Sequence, residues 1–425
     1  MKRIGIIIGI LVLLASCSKT NDLALPDTSH WDLYNSPASL PLPVFTATNA
    51  EGVYDVVNDA EDFGSLCAIK MNFVIRGVDT VLHVSGFFGK DIAYFICEGR
   101  INNGSILLNG YWRKMVSTAT GLIHLSVSAA GGATLLLQDH PVLTAGDITM
   151  DGFAGNENEE PHTKLTLTYK RNLYSRPGGF QVLAHRSGGR TSDLLPVSEN
   201  SVAMILKTPE FGSTGIEVDV RSTKDGIPIL YHDNNLNLRE IQKCGLVGPV
   251  ENYTYDQLST FVRLIHGEKI PTLREALDAV VHQTQLSFVW LDTKYAGPLD
   301  SIQLIQQEYL AQASAAGREL DIAIGLPGQD QFNAFLKLPG FMETHSLCEL
   351  SIQQAIEVNS GYWASRFTEG LASDNVSAIH DKGKKAFVWT LDVPEFIDQF
   401  IHDGQFDGIL TNFPSCVAYN YYVHQ

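Results

Sequence analysis

The sequence contains no long basic run, no pair of cysteines spaced CxxC, and no apolar stretch approaching the roughly 20 residues that a bilayer-spanning helix needs. Each absence excludes something. With a formal net charge of −17 and no clustered Lys and Arg, general nucleic-acid binding is ruled out, because nonspecific affinity for a phosphate backbone depends on such clusters. An acidic surface also repels anionic membranes, so any phosphate must be met in a locally positive pocket. The missing CxxC pairs remove the usual indication of zinc. After Cys17, five cysteines remain: Cys67, Cys97, Cys244, Cys348 and Cys416. The odd number leaves at least one thiol free. A Cys67–Cys97 bridge is open to the chain in an oxidising compartment, though spacing alone fixes no pairing.

The first residues address the compartment. Lys2 and Arg3 precede the short apolar run IGIIIGILVLLAS, the pattern of a secretory signal. The run ends in LASC, positions 14–17, which resembles the bacterial lipobox whose cysteine is lipidated and becomes the mature N-terminus. Residues 1–17 are therefore expected to be a lipoprotein signal peptide with Cys17 as the lipidated residue. Residues 18–43, polar and proline-containing, are expected to form a tether. The chain would then be lipid-anchored in the cell envelope, periplasmic or surface-exposed. The alternative is an ordinary secretory signal cut near Ala15, with Cys17 incidental.

Two rhythms follow. Over residues 44–172 short apolar runs are punctuated by Asn-Gly and Gly-Gly. Asn-Gly suits a type I′ hairpin turn, which needs positive φ at both central residues. Ile123, Leu125 and Val127 alternate with His124, Ser126 and Ser128, a period of two that implies one buried and one wet face. This predicts a small antiparallel all-β domain, a sandwich or a barrel, whose role stays open between spacer, carbohydrate or lipid binder, and partner dock. Near residues 172–179 the rhythm changes. FQVLAH, GIEVDV, LSFVWLDTK, LDIAIGLP, SLCELSI, KAFVWTLD and DGILTNFP read as strands, with helical stretches between several of them. Thr272 and Glu275 make a capping box at the start of one helix, and Gly317 closes another. Residues 178–425 thus suit a βα barrel. One connection is irregular. The link from IEVDV to IPILYH is too short for a helical crossover between parallel neighbours, so either the barrel is distorted there or the second run is a rim hairpin turning at Asp225-Gly226.

Glu217 and Asp219 lie two apart on one strand and so project from one face. Carboxylates this close raise each other's pKa unless a cation sits between them, and hard divalent cations take such oxygen ligands. The plain alternative is a solvated edge strand. The other predicted strand ends carry His185 and Arg186, His232, and Asp292 and Lys294. Catalytic groups of βα barrels gather at the C-terminal ends of strands.

These pieces resemble the glycerophosphodiester phosphodiesterase family. AHRSGG, IEVDVRSTKDG, ILYHD, PTLREAL, LDTK, FVWTLD and DGILTNFP occur in the family's order over residues 180–414. The resemblance implies a TIM-type (β/α)8 barrel and metal-dependent hydrolysis of glycerol-linked phosphodiesters. It places Glu217, Asp219 and Asp292 as ligands of one divalent cation, Ca²⁺ or Mg²⁺. His185 and His232 become the acid–base pair, and Arg186 and Lys294 the phosphate-binding cations. Trp389 is either a platform for the glycerol carbons or a core aromatic. Three departures stand out. Asp292 replaces the usual glutamate, Ser187 replaces the usual glycine, and Arg239 falls one position late with Leu238 in its expected place. Two rival functions are a phosphatidylinositol-type phospholipase C and a binding lipoprotein that has lost activity.

Overall fold

The computed structural model describes residues 24–58, 60–295 and 297–424. The expected signal peptide and Cys17 lie outside these residues. Among the described residues no helix is long and apolar enough to cross a membrane.

The first rhythm closes into a barrel rather than a sandwich. Its strands are β1 (Gly52–Val56), β2 (Leu66–Arg76), β3 (Asp79–Phe88), β4 (Ala93–Asn102), β5 (Ser105–Lys114), β6 (Thr120–Val127), β7 (Thr149–Ala154) and β8 (Thr163–Arg171). Each pairs antiparallel with the one before it, and β8 returns to β1. Closure removes the exposed edges that an open sheet would carry. Ile123, Leu125 and Val127 face a packed interior with Phe88, Phe95, Trp112 and Tyr169. At this strand number side chains can fill the lumen, so the interior is a core. Asn103 and Gly104 form the two-residue turn between β4 and β5, with φ of 48° and 77°. The second Asn-Gly is not a turn: Gly110 lies inside β5, where a Cβ would stand 1.9 Å from the Ile96 carbonyl oxygen. The Cys67–Cys97 bridge is not made. Both thiols are free and buried, on β2 and β4, with β3 running between them.

The second rhythm closes into a parallel barrel. Its wall is β9 (Gln181–Ala184), β10 (Gly215–Ser222), β12 (Phe288–Thr293), β13 (Asp321–Leu326), β14 (Ser346–Cys348), β15 (Tyr362–Arg366), β16 (Lys385–Trp389) and β17 (Gly408–Thr411), and β17 pairs with β9. The short run Pro228–Leu230 is β11, antiparallel to the end of β10. The irregular link is therefore a rim hairpin, and the parallel wall is complete without it. Its turn places Gly226 at φ +79°. The eight wall strands are followed by α1 (Val202–Lys207), α2 (Leu273–Gln283), α3 (Asp300–Ala315), α4 (Gln329–Phe335), α5 (Ile352–Glu357), α6 (Ser373–His380), α7 (Pro394–His402) and α8 (Pro414–Tyr422). The strand β15 is absent from the sequence reading. Ser365 and Arg366 interrupt its apolar run, leaving too few residues to show a period.

The barrels share a core. Outward residues of the first, Ala68, Phe87, Tyr94, Ile96 and Tyr111, cluster with Phe180, Phe211, Ala418 and Tyr421 of the second. Buried Arg113 on β5 donates to the Asp193 carbonyl at 3.0 Å.

Candidate active site

Inward positions of the parallel wall alternate. Leu183, Phe288, Trp290, Leu347, Ala364, Phe387 and Leu410 plug the barrel. Two residues further along, the same faces carry the polar groups of the mouth: His185 beyond Leu183, Asp292 beyond Trp290, Trp389 beyond Phe387 and Asn412 beyond Leu410. On β10 the inward pair is Glu217 and Asp219, with Asp219 paired in register with Asp292.

The three expected ligands are brought together. Oxygens of Glu217, Asp219 and Asp292 lie within 4.8 Å of one another. Glu217 Oε1 and Asp292 Oδ1 are buried oxygens with no hydrogen-bond donor, and Asp219 Oδ1 meets only the Lys294 ammonium. Glu217 Oε2 accepts from the Arg186 backbone N–H at 2.7 Å. Asp219 Oδ2 accepts from Asn200 Nδ2 at 2.6 Å. Lys294 Nζ stands 3.1 Å from Asp219 Oδ1 and also bonds Asp292. Burial, then Asp219 and Asp292, push Glu217 well above the usual carboxylate range. Burial also raises Asp292, against Lys294. At Asp219 burial is outweighed by Lys294, His232 and Arg186, and the group is held low. A buried cluster of mutually repelling acids that leaves oxygens without donors fits a hard divalent cation.

Both imidazoles flank this cluster. His185 Nε2 is 3.9 Å from Glu217 Oε2. Its Nδ1 lies 2.7 Å from Asn412 Oδ1. The Asn412 amide N–H₂ donates to Asp392 at 2.6 Å. A carboxylate only accepts, so the amide oxygen must face the imidazole and Nδ1 must carry the proton. The Nε2 lone pair then points into the mouth. Burial, aided by Arg186, lowers His185 to about 4. His232 is delivered by the rim hairpin. The chain overshoots the rim and returns, with the Tyr231 N–H donating to the Asp219 carbonyl at 3.0 Å. His232 Nδ1 donates to Asp233 at 2.6 Å, and Nε2 accepts from Arg186 Nη2 at 2.9 Å.

Arg186 and Lys294, expected to bind phosphate, both reach the mouth and are engaged there by carboxylates. Arg186 also bonds Glu199 at 2.8 Å, and Lys294 sits between two carboxylates. Arg239, the arginine that falls one position late, points back toward the mouth. It donates to Asp233 at 2.7 Å and to Glu199 at 3.1 Å, while Leu238 is exposed. Ser187 is buried at φ +72°, and its hydroxyl has no partner. Trp389 ends β16, and the Arg366 guanidinium stacks 4.9 Å from its ring centroid. Sequence reasoning missed Glu199, Asn200, Asp392, Asn412, Glu349 and Arg366. Asn412 and Glu349 lie inside quoted strands, where inward parity was legible, whereas Asp392 follows its strand on the opposite parity. Glu199 and Asn200 lie in a loop without a pattern.

Residues 185–294 match the glycerophosphoryl diester phosphodiesterase family model. The chain is 35% identical over 258 residues to "Probable glycerophosphodiester phosphodiesterase 2" of Mycobacterium tuberculosis, covering 56% of this chain and 89% of that protein. It is 24% identical over 246 residues to the glycerophosphodiester phosphodiesterase of Caldanaerobacter subterraneus, covering 55% and 94%. Among solved structures it is similar to a glycerophosphodiester phosphodiesterase from Parabacteroides distasonis, with a TM-score of 0.43, 21% identity, and coverage of 56% of this chain and 95% of that one. The matched segment begins at His185, ends at Lys294 and holds both imidazoles and all three acids of the mouth. With a relative above 30% identity matched over nearly its whole length, the chain belongs to the glycerophosphodiester phosphodiesterase family of phosphoric diester hydrolases.

Proposed function

We propose that the chain hydrolyses glycerophosphodiesters to glycerol phosphate and an alcohol, with Glu217, Asp219 and Asp292 holding one Ca²⁺ or Mg²⁺ ion and His185 and His232 serving as acid and base. The reading is carried by three converging carboxylates, two of them with donorless buried oxygens, beside two imidazoles. When bound, such a cation acts as a Lewis acid on a phosphoryl oxygen and orients a glycerol hydroxyl. The residues supply the rest. Each imidazole has its Nδ1 proton committed to a fixed acceptor and its Nε2 turned toward the mouth, so proton transfer occurs at Nε2. Arg186 keeps a donor on His232 Nε2. A phosphate oxygen that competes for this forked donor frees the imidazole nitrogen. Lys294 and Arg186 offset the negative charge gathered around the phosphate. We also propose that lipid on Cys17 holds the enzyme in the cell envelope.

The test strips the purified chain with chelator, restores Ca²⁺ or Mg²⁺, and follows hydrolysis of glycerophosphodiesters. Chelation is expected to abolish turnover and one of the two ions to restore it. His185→Ala and His232→Ala are each expected to lower the rate by about 10²–10⁴, the range for general acid–base groups. Full turnover by the chelated protein or by either histidine variant would refute the assignment.

A further inference from the structure

One wall of the mouth is not used by this chemistry. Leu347, Ala364 and Phe387 face the barrel interior from β14, β15 and β16. Two residues on, Glu349, Arg366 and Trp389 therefore project into the mouth from three consecutive strands. On β13, between Asp292 and this wall, the inward residue is Gly325, paired with Asp292 on one side and Leu347 on the other. A Cβ there would meet Trp290 Nε1 at 2.6 Å. No side chain at that position separates the carboxylate cluster from Glu349.

Glu349 offers this wall a carboxyl and Arg366 a guanidinium. Glu349 Oε1 is buried and accepts no hydrogen bond. Burial, then Asp292, push the Glu349 carboxyl well above the usual carboxylate range, against Lys294 and Arg366, and among the described residues no ion pair joins it to Arg366. The Arg366 guanidinium instead lies over the Trp389 ring. Stacking fixes its plane and leaves its donor fork open. A donorless carboxyl that ionises against a bound ammonium, beside a guanidinium with an open fork, is complementary to a ligand that is itself a zwitterion.

We propose that Glu349 and Arg366 form the subsite for the leaving alcohol and select a headgroup bearing both an ammonium and a carboxylate, as serine does. The ammonium donates to Glu349, and the carboxylate takes the Arg366 fork above Trp389. The inference rests on the phosphodiesterase reading above. An ethanolamine headgroup offers the ammonium alone, choline offers neither an N–H donor nor an anion, and glycerol is neutral.

The test measures kcat/KM of the full chain, with its cation restored, on glycerophosphoserine, glycerophosphoethanolamine, glycerophosphocholine and glycerophosphoglycerol. Serine is expected to exceed ethanolamine by about tenfold, the worth of one partly exposed charge-assisted hydrogen bond. Arg366→Gln is expected to bring the serine-to-ethanolamine ratio to about one, and Glu349→Gln the ethanolamine-to-choline ratio to about one, on the same basis. These ratios do not depend on the fraction of folded enzyme, so a loss of stability cannot imitate the result. A wild-type enzyme without serine preference, or ratios unmoved in both variants, would overturn the subsite. Turnover of none of the four diesters would instead overturn the phosphodiesterase reading beneath it.

Discussion

At the residue scale, the loop that carries His185 and Arg186 stores strain. Arg186 and Ser187 both adopt positive φ, 50° and 72°, without being glycine. The Ser187 hydroxyl is buried without a partner. A side chain in the left-handed region costs about 1 kcal/mol, and an unmet buried hydroxyl costs about as much again. Ser187→Gly is therefore expected to raise stability by about 1 kcal/mol, after the glycine's greater unfolded-state freedom is deducted. Chemical denaturation checks this, and a destabilised variant would show that the loop conformation is relaxed. The composition of the site was legible because its residues sit at strand ends and share inward parity. Its connections were not. Asn200 reaches Asp219 from a loop 19 residues earlier in the chain, and Asp392 sets the His185 tautomer through Asn412 from 20 residues away. Nothing in local spacing encodes such bonds, which depend on how the closed barrel brings distant segments together.

At the element scale, signals confined to a few neighbouring residues survive folding best. The capping box is made as written: Thr272 Oγ1 accepts from the Glu275 N–H at 3.1 Å, and Glu275 accepts from the Thr272 N–H at 2.7 Å. Gly317 adopts φ +68° just after α3. The turn at Asn103-Gly104 is likewise local. The second Asn-Gly misleads because tertiary packing decides it, the neighbouring strand standing too close for any side chain. The rim hairpin shows why a short link need not distort a barrel. The strand β11 pairs with the end of β10 where the short β9 has already left the wall. Because α2 follows this hairpin and packs into the core through Leu273, Ala276, Leu277 and Val280, its N-terminus anchors the rim that presents His232. Thr272→Ala removes one capping acceptor and is expected to cost about 1 kcal/mol. A thermal melt measures it, and an unchanged midpoint would mean that packing alone fixes this helix start.

At the scale of the whole molecule, the two barrels are fused through apolar side chains and a few buried charges. His83 on β3 is the most exacting of these. Its Nε2 lies 3.6 Å from Glu210 Oε1 of the second barrel, and both side chains are almost fully buried. Its Nδ1 has no hydrogen-bond partner. Burial lowers the imidazole pKa, and Lys207 and Arg76 add to that, while Glu210 and Glu98 oppose it without prevailing. The sign of the pH dependence follows from this order. Above the ordinary imidazole value the ring is neutral in both the folded and unfolded chain, and its contribution to stability is fully present. As pH falls through that value, the unfolded chain takes up a proton that the folded interface resists, so stability is lost. Melting midpoints of the wild type and of His83→Gln, compared between pH 7.5 and 5, isolate this contribution from those of other titrating groups. The wild type is expected to lose more stability over that interval, because glutamine keeps a polar side chain at the interface but cannot bind the proton. Parallel pH profiles would show that the interface accommodates the charged ring, with Glu210 as its counterion. The joint between the barrels would then be no more acid-sensitive than the rest of the fold.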